Sequence, residues 1–227
     1  MGYTRNDILE QCKSAFQSKS TFYKQPFINY RGKTEDTDEY FTEVIAEFLC
    51  ERISEFTNGI DTITRRSPYK TLGHDGVIKD LGSGREEEII AMKMYDKQYD
   101  YIGKMIDYQT PLKNKRNDEA GKIDLLAYDG ATLRILELKK PDSIETMLRC
   151  VLEGYTYFRT ADKSKLLSDF KLPNDTIVRA CPFVFKNGEQ RSEMREQRPH
   201  LKRLMDLLDS KPYYISEING KFFVTEE

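Results

Sequence analysis

Two short apolar runs, Ile123 to Tyr128 and Thr132 to Leu138, flank the dipeptide Asp129-Gly130 and constrain the fold more than any other stretch of the chain. Asp-Gly tolerates the positive φ that tight turns need, so the segment predicts a β-hairpin. With Asp129 and Gly130 as a two-residue loop, Tyr128 pairs with Ala131 and Asp124 falls opposite Ile135. Opposed residues share a face and side chains alternate along each strand, so Asp124, Glu137 and Lys139 all project from one side of the sheet. Asp124 and Glu137 then form a diagonal pair with backbones about 7 to 8 Å apart, a gap that two carboxylates can close around one cation. A three-residue loop would shift the register by one and turn Asp124 away from Glu137.

The second run ends in Glu137-Leu138-Lys139-Lys140, which sets charge beside an apolar core. If the strand emerges into water, Glu137 and Lys139 are a surface pair worth at most about 1 kcal/mol. If they stay close to the core, they must be paired or hold a metal. The same acid-x-Lys spelling occurs at Asp169-Phe170-Lys171 and Asp209-Ser210-Lys211, but neither closes a hairpin strand.

The surrounding pattern is mixed α and β. Tyr40, Phe41, Val44, Ile45, Phe48, Leu49, Ile53 and Phe56 recur at helical spacing, predicting a helix from about Glu39 to Phe56. Asp36 followed by Glu39 resembles a capping box, and Asn58-Gly59 supplies the stop. A weaker helix covers Arg5 to Phe16, and residues 59–84 read as loops, with Gly82-Ser83-Gly84 leading into the next helix. That helix starts at Glu86-Glu87-Glu88. A strand over about Lys104 to Leu112, a lysine-rich loop and the hairpin follow. Then come a helix over Ser143 to Phe158, a strand over Ile177 to Phe185, a helix over Pro199 to Leu208, and a final strand or hairpin around Tyr213 to Val224.

Length and composition bound the rest. A chain of 227 residues can bury one sizeable core, divided here into an N-terminal helical extension (residues 1–83) and a catalytic core (84–227). No apolar run reaches the roughly 20 residues of a bilayer span. The polar N-terminus and four dispersed cysteines, Cys12, Cys50, Cys150 and Cys181, point to a cytoplasmic protein. With only His74 and His200, neither near a cysteine, structural zinc is excluded; His74 reads as part of a turn and His200 opens a helix. A net charge of −2 gives no overall field for a polyanion, so any such contact must come from local clusters: Arg65, Arg66 and Lys70; Lys113, Lys115, Arg116 and Lys122; or Arg159, Lys163 and Lys165. Each cluster taken alone also reads as an ordinary solvated face. Phosphate-binding loops, dinucleotide-binding fingerprints and nucleophile elbows are missing from the sequence.

Asp124, Glu137-Leu138-Lys139 and this order of elements resemble the PD-(D/E)XK nuclease superfamily over residues 84–185. The resemblance implies an α/β fold with a restriction-endonuclease-like core, a mixed sheet of four to five strands flanked by helices. It also implies a Mg²⁺-dependent DNA endonuclease, with Mn²⁺ as a substitute, in which Asp124, Glu137 and the Leu138 carbonyl hold the metal and Lys139 acts on the attacking water or the transition state. The helical acid of the family maps onto Glu86, which meets Ile89 and Ile90 on the core-facing side, with Glu87 nearly equivalent. Arg149, Lys140, Lys122 and Tyr155 are the expected substrate contacts, DNA is the expected partner, and a second copy of the chain is a candidate partner. Ile123 replaces the family's proline, and the helix after the strand offers Arg149, Glu153, Tyr155 and Tyr157 where relatives place Gln and Tyr. The alternative is a catalytically silent member of the same fold that binds nucleic acid or protein.

Overall fold

The computed structural model describes residues 2–78, 85–114 and 121–226. Gly82-Ser83-Gly84 and two of the predicted basic-cluster residues, Lys115 and Arg116, lie outside them.

One seven-stranded mixed sheet organises the chain, with strands in sequence order. β1 (Gln98–Tyr99), β2 (Gly103–Pro111), β3 (Lys122–Tyr128) and β4 (Thr132–Leu138) form an antiparallel meander. β5 (Ile177–Phe185) and β6 (Tyr213–Ile218) then add in parallel, each after a helical crossover. β7 (Lys221–Thr225) turns back on β6 through Asn219-Gly220, both with positive φ. The four- to five-stranded restriction-endonuclease-like core expected from the sequence is therefore corrected to a single sheet of seven. Two features account for the difference. The residues before Gly103 fold back as β1, and Tyr213 to Thr225 supplies two strands to the same sheet instead of an isolated ending.

Helices cover both faces, which is why β4 is buried at every position although its sequence mixes Leu, Ile, Arg and Glu. On one face, Leu126, Leu133 and Ile135 pack under α5 (Met147–Thr160). The same cluster takes in Ile8 of α1 (Arg5–Ala15), Phe48 of α2 (Phe41–Glu51), Phe56 of α3 (Ile53–Asn58) and Leu204 of α8 (Pro199–Leu207). The N-terminal helices thus share a core with the sheet. On the other face, Leu125, Leu136 and Leu138 pack with Ala91 and Met94 of α4 (Glu86–Met94). Two short helices unread in the sequence, α6 (Lys163–Asp169) and α7 (Glu189–Arg195), complete the crossovers.

The long helix expected over residues 39–56 is two. It starts from Tyr40 without a side-chain cap and breaks at Arg52, whose backbone leaves the helical region (φ −119°, ψ 24°). The capping box lies instead at Thr4 and Asp7, where both reciprocal bonds form.

The central hairpin turns one residue later than Asp129-Gly130. Tyr128 pairs with Leu133, and the Asp129 N–H donates to the Thr132 carbonyl at 3.3 Å, so Gly130 and Ala131 are the turn residues. The Asp129 carboxylate accepts from Ala131 N–H at 2.9 Å and Thr132 N–H at 2.8 Å, an Asx arrangement that captures both amides before the ladder begins. Relative to a turn at Asp129-Gly130 the partner of each β3 residue moves by two, and a shift of two leaves every side chain on its original face. One further step past the Leu125–Leu136 pair sets Asp124 directly across from Glu137.

Candidate active site

Asp124, Glu137 and Lys139 line one hollow of about 530 Å³ between the end of the hairpin, the start of α5 and α4. Glu87, Lys140, Asp142, Glu145, Arg149 and Glu153 also border it. Six carboxylates thus face three cations, a deficit of positive charge in a partly dehydrated space.

Each side chain is held by a traceable contact. Asp124 Oδ2 accepts the Leu138 N–H at 3.0 Å and Oδ1 accepts from Gln109 Nε2 at 3.0 Å. Gln109 sits in β2 with φ 48°, a left-handed conformation costly for a residue with a Cβ and often found where a side chain must be aimed at a site. Glu137 is 3% exposed; its Oε1 meets Lys139 Nζ at 2.8 Å, while Oε2 is buried without a hydrogen-bond partner among the described residues. Such an orphaned carboxylate oxygen is expensive unless a proton or a cation completes it. Lys139 Nζ also contacts Glu145 at 2.7 Å and Glu153 at 3.0 Å, so three carboxylates surround one ammonium. Glu153 in turn accepts from Tyr157 at 2.9 Å and lies 3.4 Å from the Arg149 Nε. Gly154 lets α5 approach this closely, because a Cβ there would stand 3.1 Å from the Cβ of Glu137.

Burial dominates the titration of the acids. It pushes Asp124 up to about 7, opposed by Lys139 and reinforced by Glu87. Glu137 is raised well above the carboxylate range by burial and by Glu153, against the pull of Lys139. Glu87 is raised by burial too. At Glu153 burial works in the same direction, but Lys139 and Arg149 outweigh it and keep the group low. Lys139 loses solvation, yet Glu137 and Glu153 more than compensate and hold it firmly charged. The cluster therefore combines an ionised Glu153, a charged lysine and two acids that retain protons near neutrality.

These directions fix a pH dependence. Unfolded, Asp124 titrates near 3.8; folded, it does so near 7, so the folded protein holds the extra proton in between. Its stabilising contribution is full below the unfolded value and is lost as pH rises through 7. Glu137 and Glu87 act in the same sense. Glu153, shifted downward, affects stability only at more acidic pH, and Lys139, shifted upward, only under strongly basic conditions. Thermal unfolding in a chelator should show the metal-free protein at least about 3 kcal/mol less stable at pH 8 than at pH 5. Mg²⁺ should recover the loss at pH 8 and have little effect at pH 5, since cation and protons compete for the same oxygens. A metal-free stability that increases over this interval would contradict the assignment of these acids.

The remaining predicted residues are dispersed. Glu87, not Glu86, turns toward the hollow, where its carboxylate accepts the Lys140 N–H at 3.2 Å; Glu86 is more exposed and pairs with Lys140 Nζ at 3.0 Å. Arg149 is at the edge of the hollow with its guanidinium over Tyr23. Tyr155 packs between Phe56 and Phe158, away from the hollow. Lys122 borders a different cavity. Sequence reasoning passed over Gln109, Glu145 and the role of Gly154. Glu153 and Tyr157, four apart on one helix, were the legible part of that shell.

Compared with known proteins, the chain matches no family model, no curated protein and no solved structure. No helix among the described residues is long and apolar enough to cross a membrane, and all four cysteines are free and buried.

Proposed function

We propose that the chain is a Mg²⁺-dependent nuclease hydrolysing DNA phosphodiester bonds with the acids and lysine that its sequence shares with the PD-(D/E)XK superfamily. One observation carries the reading: Asp124 and Glu137 line the same hollow, which has more carboxylates than cations, and among the described residues one Glu137 oxygen there has no hydrogen-bond partner.

The donor chemistry fits a hard divalent cation. Among the described residues no three side chains of metal-binding type are assembled around one point. Mg²⁺ suits a sparse set, because it is commonly held by one or two carboxylates with waters filling its other positions. Asp124, Glu137 and the Leu138 carbonyl would hold it. When bound, the ion supplies positive charge for the phosphate oxygens and lowers the pKa of water.

The chain's own groups do the rest. Asp124 is fixed by Gln109 and the Leu138 amide, so its carboxylate is oriented before any ligand arrives. Lys139 remains charged inside the cluster and can orient the attacking water or neutralise charge that builds on the phosphoryl oxygens. Glu153, the ionised acid bonded to that ammonium, keeps it in place and is held in turn by Tyr157. Arg149 and Lys140 border the hollow, where they can meet the phosphates of a strand.

Plasmid nicking tests the reading. The wild-type chain should nick supercoiled DNA with Mg²⁺ or Mn²⁺ and lose that activity in chelator. Metal-independent nicking, or nicking of equal rate in Asp124→Asn, would assign it to a contaminant.

A further inference from the structure

A second polar cavity, about 590 Å³, is bordered by His74, Arg85, Glu88, Gln109 and Lys122. Its most constrained group is His74. The imidazole Nδ1 lies 2.6 Å from Asp107 Oδ1, and Asp107 is 2% exposed with its other oxygen accepting from Thr110 at 2.7 Å. The ring also stacks on Tyr108, with centroids 4.4 Å apart, and Tyr108 is itself pinned by the Gly76 N–H and by Tyr95. Asp107 takes the Nδ1–H, so a ring that carries its second proton presents an Nε2–H donor to a ligand oxygen; among the described residues Nε2 has no protein partner.

Acids and cations both border this cavity, and one of the cations, Arg85, shares a single contact with an acid. Glu88 is paired with Arg85 at 3.4 Å, and Asp75 accepts the Val77 N–H at 3.0 Å. Lys122 is exposed and has no ion-pair partner among the described residues. A ring held by a buried acid, an ammonium without an ion-pair partner among the described residues, and a guanidinium that meets Glu88 through one nitrogen and keeps its other N–H groups make a site for an anion with several oxygens. Gln109 joins the two spaces, since it borders this cavity and donates to Asp124 in the other.

We propose that this cavity takes a phosphate group of the nucleic-acid strand bound at the Asp124 hollow, with His74, Arg85 and Lys122 as its partners. The inference rests on the nuclease reading for the source of the phosphate, but not for the anion site itself. It makes His74 a substrate-positioning residue, a role that its appearance as a turn residue in Gly73-His74-Asp75-Gly76 did not suggest.

Calorimetric titration of the full chain in chelator, with inorganic phosphate and with a 5′-phosphorylated thymidine dinucleotide, tests it. Both should bind, the dinucleotide more tightly, and His74→Ala should weaken each about tenfold or more. Because His74→Ala also leaves Asp107 short of a partner, Lys122→Ala and Arg85→Ala provide the same test on exposed side chains, with losses of severalfold each. Glu137→Gln should bind inorganic phosphate as the wild type does. In cleavage assays His74→Ala should raise KM more than it lowers kcat. Absence of phosphate binding, unchanged affinity in all three cavity variants, or a dinucleotide that binds no better than inorganic phosphate overturns the proposal. Cleavage that persists with no His74-dependent binding rejects this site alone. Phosphate binding that depends on His74 in a chain unable to cut DNA with any metal rejects the nuclease reading and leaves only an anion site.

Discussion

Glu137→Gln is expected to lower the rate of Mg²⁺-dependent nicking at least a hundredfold while leaving the metal-free protein as stable as the wild type, or more so. The activity loss follows from removing one of two carboxylates that can compensate a divalent cation, an effect on the order of 3 kcal/mol or more in transition-state stabilisation. The stability follows from burial: Glu137 holds its proton near neutrality, so a neutral amide of the same shape resembles the state already present. Lys139 retains Glu145 and Glu153 after the change. Stability kept against a loss of activity is the expected signature of a functional cluster whose charges are unfavourable for folding alone. Single-turnover nicking and thermal unfolding of the same preparation check both halves. A variant that unfolds much earlier than the wild type would mean that Glu137 is a structural ion-pair partner.

Lys139→Met is expected to act in the opposite way on stability. Methionine keeps most of the apolar stem, but Glu137, Glu145 and Glu153 lose the ammonium they share. Breaking a buried pair by deleting one partner costs about 3 to 5 kcal/mol, or roughly 6 to 20 °C in a chain of this size. The deficit should be larger at pH 8 than at pH 5, because the orphaned acids can take up protons at the lower pH. Nicking should fall with it, so unfolding must be measured without metal to keep the two effects apart. Equal melting temperatures for Lys139→Met and wild type at pH 8 would show that the ammonium does not hold the cluster together.

What the sequence made readable was a parity, not a distance. Apolar alternation around Asp129-Gly130 placed Asp124, Glu137 and Lys139 on a common face, and that conclusion tolerates any even shift in register. The shift that occurs is two, because the Asp129 side chain takes both following amides. It brings the acids from a diagonal to a direct pairing. Had one residue more or fewer entered the loop, the same reasoning would have pointed Asp124 into the opposite core.

The size of the sheet was not readable for a different reason. β1 has two residues, Gln98 and Tyr99, too few to show a period, and the β6–β7 hairpin gives no local sign of which edge it joins. The helical acid was ambiguous because Glu86, Glu87 and Glu88 differ only by rotation about α4, and only the packing of α4 on the sheet brings Glu87 to the Lys140 amide. Gln109 is harder still, since a positive φ in a non-glycine residue has no sequence signature. The His74–Asp107 contact spans 33 residues and depends on how a loop folds over β2, beyond the range of pattern arguments.

The most direct test of the central claim, that Asp124 and Glu137 together hold a divalent cation, is anomalous scattering from a crystal soaked in Mn²⁺. One peak or a close pair is expected within coordination distance of the Asp124 and Glu137 carboxylates and the Leu138 carbonyl, absent from Glu137→Gln crystals. A soaked crystal with no peak in the hollow, or with Mn²⁺ only at surface acids while Glu137 keeps its contact to Lys139, would contradict it.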